Sequence, residues 1–509
     1  MINRGKKHEN SLYKNLAIWT IIVSFIIRIA LALITKEGGD PAWHLNVARF
    51  IGENLKFPVF EFLGREAFSK PPLFHIIGGI FYNIFNIFNL GDMGIKLLSP
   101  LAGTGFLIFT YLIAKELTNE RIAFLSTLFL SFLPLSMYLS VTGHIEMITA
   151  FFFIGTIYFM IKEKIYLSGI FLGLSLLGKE FSIMLVPIMA YYYFKKRKEK
   201  KEMPLKKFLI IMIIGALISA PFYIRNLIIF GNPIWPFLIS AFPSKYIYPL
   251  GLKPELTPSM IYEQFGNPIQ IIYLEFFGVP AGRIDNLLIL NVQGFMLWIW
   301  FASTLVFLIP IFLAIKERKK IRNNNILISL ILINLSLLIV TLAMNGATTP
   351  RYFIYSLPAI AILWALEMDM LIRKYGRVAL IIMLVISSGF VLGEIVKAKV
   401  GADMWDAYKK DFKWIKENTS ENALIMAGGQ AMSYRLHREA IYIPDNQRMS
   451  PSYIPEWKDF DYIFINQQFK PDKRVILEEE LVNKIKNSED FEIVYENKDT
   501  GTEIYKKII

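Results

Sequence analysis

The chain has no cysteine. Disulfides, thiolate nucleophiles and cysteine-based metal sites are therefore excluded. Charge is sparse, at 19% of 509 residues, where soluble globular domains carry about 25%. Histidine is scarcer still, at 5 residues, and none falls in a metal-ligand spacing such as HExxH. There is no Walker loop, no dinucleotide-binding glycine fingerprint and no GxSxG elbow. Internal repeats and low-complexity tracts are also missing.

What is abundant is apolar. Hydrophobic residues make up 54% of the chain and lie in long blocks: Leu16–Ile34, Phe124–Tyr138, Met147–Ile161, Phe208–Ile224, Phe295–Ile315, Ile326–Met344 and Val378–Leu392. A bilayer-spanning helix needs about 17–25 mostly apolar residues. The blocks meet that length or fall just short of it. With the further blocks Ile95–Ala114, Ile165–Leu177, Phe181–Phe194 and Tyr352–Leu366, they predict a polytopic α-helical membrane protein with about eleven crossings.

The net charge of +13 would suggest nucleic acid in a soluble protein. Here the basic residues sit in short loops between apolar blocks, which argues for membrane topology instead. The runs KELTNER (115–121), KKRKEKK (195–201), KERKKIR (316–322) and Arg373, Lys374, Arg377 fall on one side. This holds if the N-terminus is cytoplasmic and the apolar piece Pro72–Leu90 lies in the interface. The expectation is a multi-pass plasma-membrane protein in two parts. Residues 1–393 form the membrane domain, with outer loops 36–92 and 225–293. Residues 394–509 form a small extracytoplasmic α/β domain, with helical stretches at Trp405–Asn418 and Arg474–Lys486 and strands near Ala423–Met426 and Asp461–Ile465.

Charged groups at helix ends near a membrane are costly and are functional candidates by default. Asp40, in GGDPAWHLNVARF, reads either as the N-cap of a helix opened by Pro41 or as a general base. Lys70 precedes a proline pair; it can snorkel or bind a lipid phosphate. Glu146 opens a helix, where the helix dipole favours a carboxylate. Arg225 and Arg351 flank helix ends as interface anchors or phosphate ligands. Asp40, His144 and Glu146 are of the types that hold a divalent cation, although no spacing demands one.

Six segments in order carry a resemblance. They are GDPAWHLNVARFIGEN, FSKPPLFHIIGGIFY, GHIEMITAFFF, SLLGKEF, APFYIRNLIIFGNPIWPF and TTPRYFIYSLPAIAIL. Together they resemble the GT-C superfamily of polyprenol-phosphate-sugar-dependent glycosyltransferases, nearest the lipid A aminoarabinose transferase and protein O-mannosyltransferase families. The resemblance implies an inverting transfer of one sugar from a polyprenyl phosphate to an extracytoplasmic lipid, glycan or protein. It makes Asp40 the catalytic base and Glu146 the second acid. It puts Lys70, Arg225 and Arg351 at the donor phosphate. His44, His75 and His144, which neighbour Asp40, Lys70 and Glu146 in the sequence, are candidate substrate-binding residues. The resemblance also implies an interfacial proline-pair helix, and no nucleic acid partner.

The tail stretch WIKENTSENALIMAGGQAMSYRLH (414–437) aligns with the start of oligosaccharyltransferase tails. It carries Gly428, Gly429, Gln430, Ala431 and Met432 where their sequon reader stands. An oligosaccharyltransferase is therefore the weaker enzyme reading. A transporter or flippase is the alternative of another class, disfavoured by the missing repeat and by charges at helix ends rather than mid-membrane.

Overall fold

Helix boundaries in so apolar a chain fall where proline, glycine or a capping side chain interrupts the backbone. The computed structural model describes residues 2–58, 68–199, 204–235, 242, 350–427, 430–441, 456–469 and 476–508. The expected crossings Phe295–Ile315 and Ile326–Met344, the run 316–322 and nearly all of loop 225–293 lie outside the described residues.

The first half of the chain is a helical bundle: α1 (Ile2–Ile34), α2 (Gly39–Asn54), α3 (Leu73–Asn86), α4 (Gly91–Leu117), α5 (Glu120–Phe132), α6 (Pro134–Val141), α7 (Ile145–Ile161), α8 (Ile165–Gly178), α9 (Leu185–Glu199) and α10 (Pro204–Phe230). A 3-10 turn at Pro350–Tyr355 leads into α11 (Leu357–Tyr375) and α12 (Arg377–Asp406). Among the described residues, the stretches Asn10–Ile34, Gly91–Leu117 and Leu205–Phe230 are long and apolar enough to cross a membrane. The pair α5 and α6, bent by 62°, adds a fourth as one broken span. Helix α3 has 14 residues, about 21 Å of rise. That is short of the ~30 Å hydrocarbon core.

Local chemistry accounts for the breaks. Asn119 caps α5 by accepting from the Arg121 and Ile122 amides, which would otherwise lack partners. Pro134 ends that helix and opens the next. The break exposes carbonyls inside apolar surroundings, where unsatisfied backbone is expensive. Arg28, fully buried on α1, donates to the Ser131 carbonyl at 3.0 Å and the Ser136 hydroxyl at 3.3 Å. Small residues set the close crossings. A Cβ on Gly173 of α8 would lie 2.6 Å from the Ile218 side chain and 2.9 Å from the Gly215 carbonyl of α10, the small-xxx-small logic of membrane helices. A Cβ on Gly78 of α3 would meet that of Ala48 on α2 at 2.8 Å.

The bundle has two chemically distinct ends. At one, the turn after α4, the α7–α8 turn, the start of α10 and the end of α11 are laced by ion pairs. These are Lys162–Glu116 at 2.9 Å, Lys207–Glu163 at 3.0 Å and Arg121–Asp369 at 2.5 Å. The opposite end carries α2, the start of α3, the start of α7 and the end of α8.

Among the described residues the tail forms a five-stranded mixed sheet in the order β2-β1-β3-β5-β4: β1 (Leu424–Met426), β2 (Glu439–Ile441), β3 (Tyr462–Ile465), β4 (Phe491–Asn497) and β5 (Thr502–Lys507). Strands β1, β2 and β3 pair in parallel; β5 runs antiparallel to β3 and β4. The helices are α13 (Lys409–Asn418), α14 (Gln430–Leu436) and α15 (Glu479–Lys486). The expected stretch Trp405–Asn418 is thus divided. Trp405 and Asp406 finish α12, which runs unbroken through residue 394, and α13 starts after Tyr408. Helix α15 begins at Glu479 rather than 474, because Glu478 has an extended backbone.

The tail's helix and hairpin are joined through one buried carboxylate. Asp411 of α13 is fully buried and accepts from Tyr495 Oη at 2.7 Å, Asn497 Nδ2 at 2.6 Å, Thr500 Oγ1 at 2.8 Å and Thr502 Oγ1 at 2.7 Å. Hydrogen bonds to a buried charge contribute about 1.5–3 kcal/mol each and leave costly orphans when cut. Asp411→Ala should therefore destabilise the tail by about 3 kcal/mol or more. Hydrogen exchange on the full-length protein should show faster amides in β4 and β5 and unchanged bundle helices. Unchanged exchange there would refute the assignment.

Candidate active site

Six segments bring ionisable side chains to the second end of the bundle. Helix α2 follows Gly38 and Gly39, the latter at φ 59°, a left-handed conformation that glycine adopts freely. This turn sets Asp40 in the first turn of α2 and His44 one turn later. The N-cap of α2 is Gly38, with no side-chain capping bond. The capping role for Asp40 gives way to a different one, because its carboxylate points to Arg351.

Arg351 Nη2 lies 2.8 Å from Asp40 Oδ2, and Arg351 Nε lies 3.1 Å from Glu146 Oε1. One guanidinium therefore bridges both expected acids. Glu146, 1% exposed, also takes a short ion pair from Lys179 at the end of α8. Asp40 keeps 44% of its side-chain surface open, so it is not packed into a core. Burial alone would raise the Asp40 carboxyl, but the adjacent Arg351 charge outweighs this and holds it well below the usual carboxylate range.

His144 sits between these groups. Its Nδ1 lies 3.2 Å from Arg351 Nη1 and its Nε2 lies 3.2 Å from the Tyr138 hydroxyl. Burial and then the Arg351 charge push His144 down to about 4. It is therefore neutral near pH 7, accepts from Arg351 at Nδ1 and keeps its proton on Nε2. The 3.7 Å approach of Nδ1 to Glu146 Oε2 is then no ion pair.

The second cluster opens α3. Arg225 of α10 donates to the Phe68 carbonyl at 2.8 Å, and Asn226 donates to the Ser69 carbonyl at 3.1 Å. These bonds pin the backbone just ahead of Lys70 and the proline pair. Arg225, expected at the donor phosphate, stands on this backbone. Lys70 is near Glu180, whose carboxyl is raised by burial while the Lys70 charge opposes the rise. His44 Nδ1 and His75 Nε2 lie 2.9 Å apart, and both side chains are buried.

All eight expected residues thus fall at one end of the bundle, in two adjoining groups. Sequence reasoning missed Lys179 as a site residue. It stood in SLLGKEF, a segment noted for resemblance, but nothing local ties it to Glu146. Among the described residues, no three His, Asp or Glu side chains gather with metal-ligand geometry.

Residues 69–224 match the family model for dolichyl-phosphate-mannose-protein mannosyltransferase. That span holds Lys70, Glu146 and Lys179, but neither Asp40 nor Arg351. No curated protein matches the chain in sequence. Two solved structures are similar over most of its length. One is ArnT from Cupriavidus metallidurans bound to undecaprenyl phosphate, at TM-score 0.63 and 12% identity, covering 96% of this chain and 98% of that one. The other is the archaeal oligosaccharyltransferase AglB from Archaeoglobus fulgidus, in complex with an inhibitory peptide and a dolichol-phosphate. It matches at TM-score 0.54 and 13% identity, covering 89% of this chain and 70% of that one. The chain is an α-helical membrane protein of the GT-C fold with a small C-terminal α/β domain.

The buried His44–His75 pair has a consequence for stability. Burial lowers His75 to about 3 and, with His75 beside it, sends His44 well below its ordinary value. The folded state holds both neutral, whereas the unfolded chain protonates them near 6.5. The unfolded state therefore binds more protons below that pH, and stability falls as pH drops from about 6.5 toward 3. The melting temperature in nanodiscs should decline through this window, and a His44→Gln/His75→Gln variant should decline less steeply. Equal slopes would contradict a neutral pair.

Proposed function

We propose that this protein is an inverting membrane glycosyltransferase, moving a single sugar from a polyprenyl phosphate to an extracytoplasmic lipid, glycan or protein acceptor. The observation that carries the reading is the bridging of Asp40 and Glu146 by Arg351. It lies at the same bundle end as Lys70, within a GT-C fold. The similar ArnT structure is bound to undecaprenyl phosphate and the similar AglB structure to a dolichol-phosphate, which supports a lipid-linked donor. The family model's description supports a sugar on such a carrier.

The chemistry suits a donor whose tail dissolves in the bilayer, leaving its sugar–phosphate linkage at headgroup depth. Asp40, partly exposed and ionised, takes the proton from the acceptor hydroxyl. The acceptor oxygen forms a bond to the anomeric carbon on the face away from the phosphate. The bond from that carbon to the phosphate oxygen breaks, so the anomeric configuration inverts. Polyprenyl phosphate leaves with the electron pair, and Lys70 stabilises the charge that grows on it. Arg225 serves by fixing the Lys70 backbone. Arg351 holds Asp40 in its ionised form, and Glu146 fixes the guanidinium that orients it. The site faces outward, with the Lys- and Arg-rich end in the cytoplasm.

Purified protein in nanodiscs, supplied with synthetic polyprenyl-phosphate sugars and an acceptor extract, tests this directly. Asp40→Asn should lower kcat by about 10²–10⁴-fold with donor binding kept, and Lys70→Ala should chiefly weaken donor binding. Wild-type turnover in Asp40→Asn would reject the base. An effect of Lys70→Ala confined to the acceptor would reject the phosphate role. Substrate flux across liposomes with no transfer from any donor would favour a transporter.

A further inference from the structure

The C-terminal domain grips the helix that carries Asp40. Arg49 lies about two and a half turns beyond Asp40 on α2, roughly 13 Å along the axis, too far to touch the same reacting atoms. It is 4% exposed, and its hydrogen-bonding capacity is spread over three elements. Its Nη2 donates to Asn46 Oδ1 at 2.7 Å and to the Tyr434 carbonyl at 2.9 Å. Its Nη1 lies 2.7 Å from His437 Nδ1 and 3.5 Å from Asp92 Oδ2 in the first turn of α4. The guanidinium also stands over the Tyr434 ring, 4.8 Å from its centre. His437 has φ 53°, a left-handed residue just past the end of α14, and burial together with the Arg49 charge lowers it to about 3. It is therefore neutral and able to accept from Arg49.

Two further contacts flank Asp40. Asn46 Nδ2 donates to Ser433 Oγ at 2.9 Å. Ahead of α2, Arg435 Nη2 donates to the Glu37 carbonyl at 2.8 Å, with its guanidinium 4.1 Å from the centre of the Trp405 ring. Helix α14 thus holds α2 before and after Asp40. Rotation or sliding of α2 would strand buried donors of a charged group, which costs far more than an exposed contact gains.

We infer that Arg49 is a positioning residue, and that α14 of the tail acts as a splint that sets the rotation of α2 and hence the direction of the Asp40 carboxylate. The inference deepens the proposed transferase reading and rests on Asp40 acting as the base. Misplacing a catalytic group by about 1 Å can cost about 10²-fold in rate, so a loosened splint should appear in turnover rather than in donor affinity.

The test uses the full-length protein in nanodiscs, with Arg49→Gln and the milder Ser433→Ala. Arg49→Gln should lower kcat by about 10–100-fold with the donor KM within about twofold, and Ser433→Ala should act in the same direction but less. In an Asp40→Asn background, Arg49→Gln should add little further loss, because both changes act through one group. Hydrogen exchange over residues 39–54 should quicken in both variants while α7 and α8 stay protected. Additive losses in the double variant, a raised donor KM at unchanged kcat, or unchanged exchange in α2 would each overturn the splint. If the wild type transfers no sugar from any donor, the transferase reading fails, and the exchange measurement still decides whether α14 holds α2.

Discussion

Two carboxylates brought together in a partly dehydrated site repel each other unless a cation stands between them. Arg351 supplies that cation. Its planar guanidinium meets Asp40 with one nitrogen and Glu146 with another, a fork that a lysine ammonium would not reproduce. The arrangement requires α2, the start of α7 and the 3-10 turn at Pro350–Tyr355 to meet at one point. Much of the remaining architecture serves that meeting. Lys179 adds a second cation at the Glu146 oxygen that Arg351 meets, and His144 stays neutral while it accepts from Arg351.

The bundle reaches this geometry through breaks that an apolar environment normally punishes. Arg28 satisfies a carbonyl exposed at the α5–α6 bend, so the chain can turn and deliver His144 and Glu146 at the start of α7. Glycines on α3 and α8 let backbones approach where side chains would keep them apart. Arg225 and Asn226 then fix the segment bearing Lys70. Buried polar side chains here act mainly as braces for backbone that is not regular helix.

Local sequence made part of this legible. Apolar block length gave the helical membrane class, and the apolar runs Ala423–Met426 and Asp461–Ile465 gave β1 and β3, while β2, β4 and β5 were not foreseen. The glycine pair before Asp40 and the proline pair after Lys70 marked both positions, because turn chemistry is local. The pairing of the site was not legible. Asp40 and Arg351 lie at opposite ends of the bundle sequence, and no periodicity links them. Arg351 looked like a phosphate ligand because a lone arginine at a helix end carries no sign of its partner. Lys179 carried no sign of Glu146 for the same reason, and Arg28 was hidden inside the apolar block Leu16–Ile34. The boundary expected at residue 393 followed the loss of hydrophobicity, whereas α12 continues past it in polar sequence.

If Arg351 is what holds Asp40 ionised and aimed, removing its charge should change how the reaction depends on pH. The decisive measurement is the pH profile of kcat for sugar transfer by Arg351→Gln beside the wild type. The wild type should stay active far into acid, because its carboxylate is held well below the ordinary range. The variant should be slower and lose activity at a distinctly higher pH, as the carboxyl rises toward its usual value. Superimposable profiles at equal rates would show that the bridge between the two acids has no part in the chemistry.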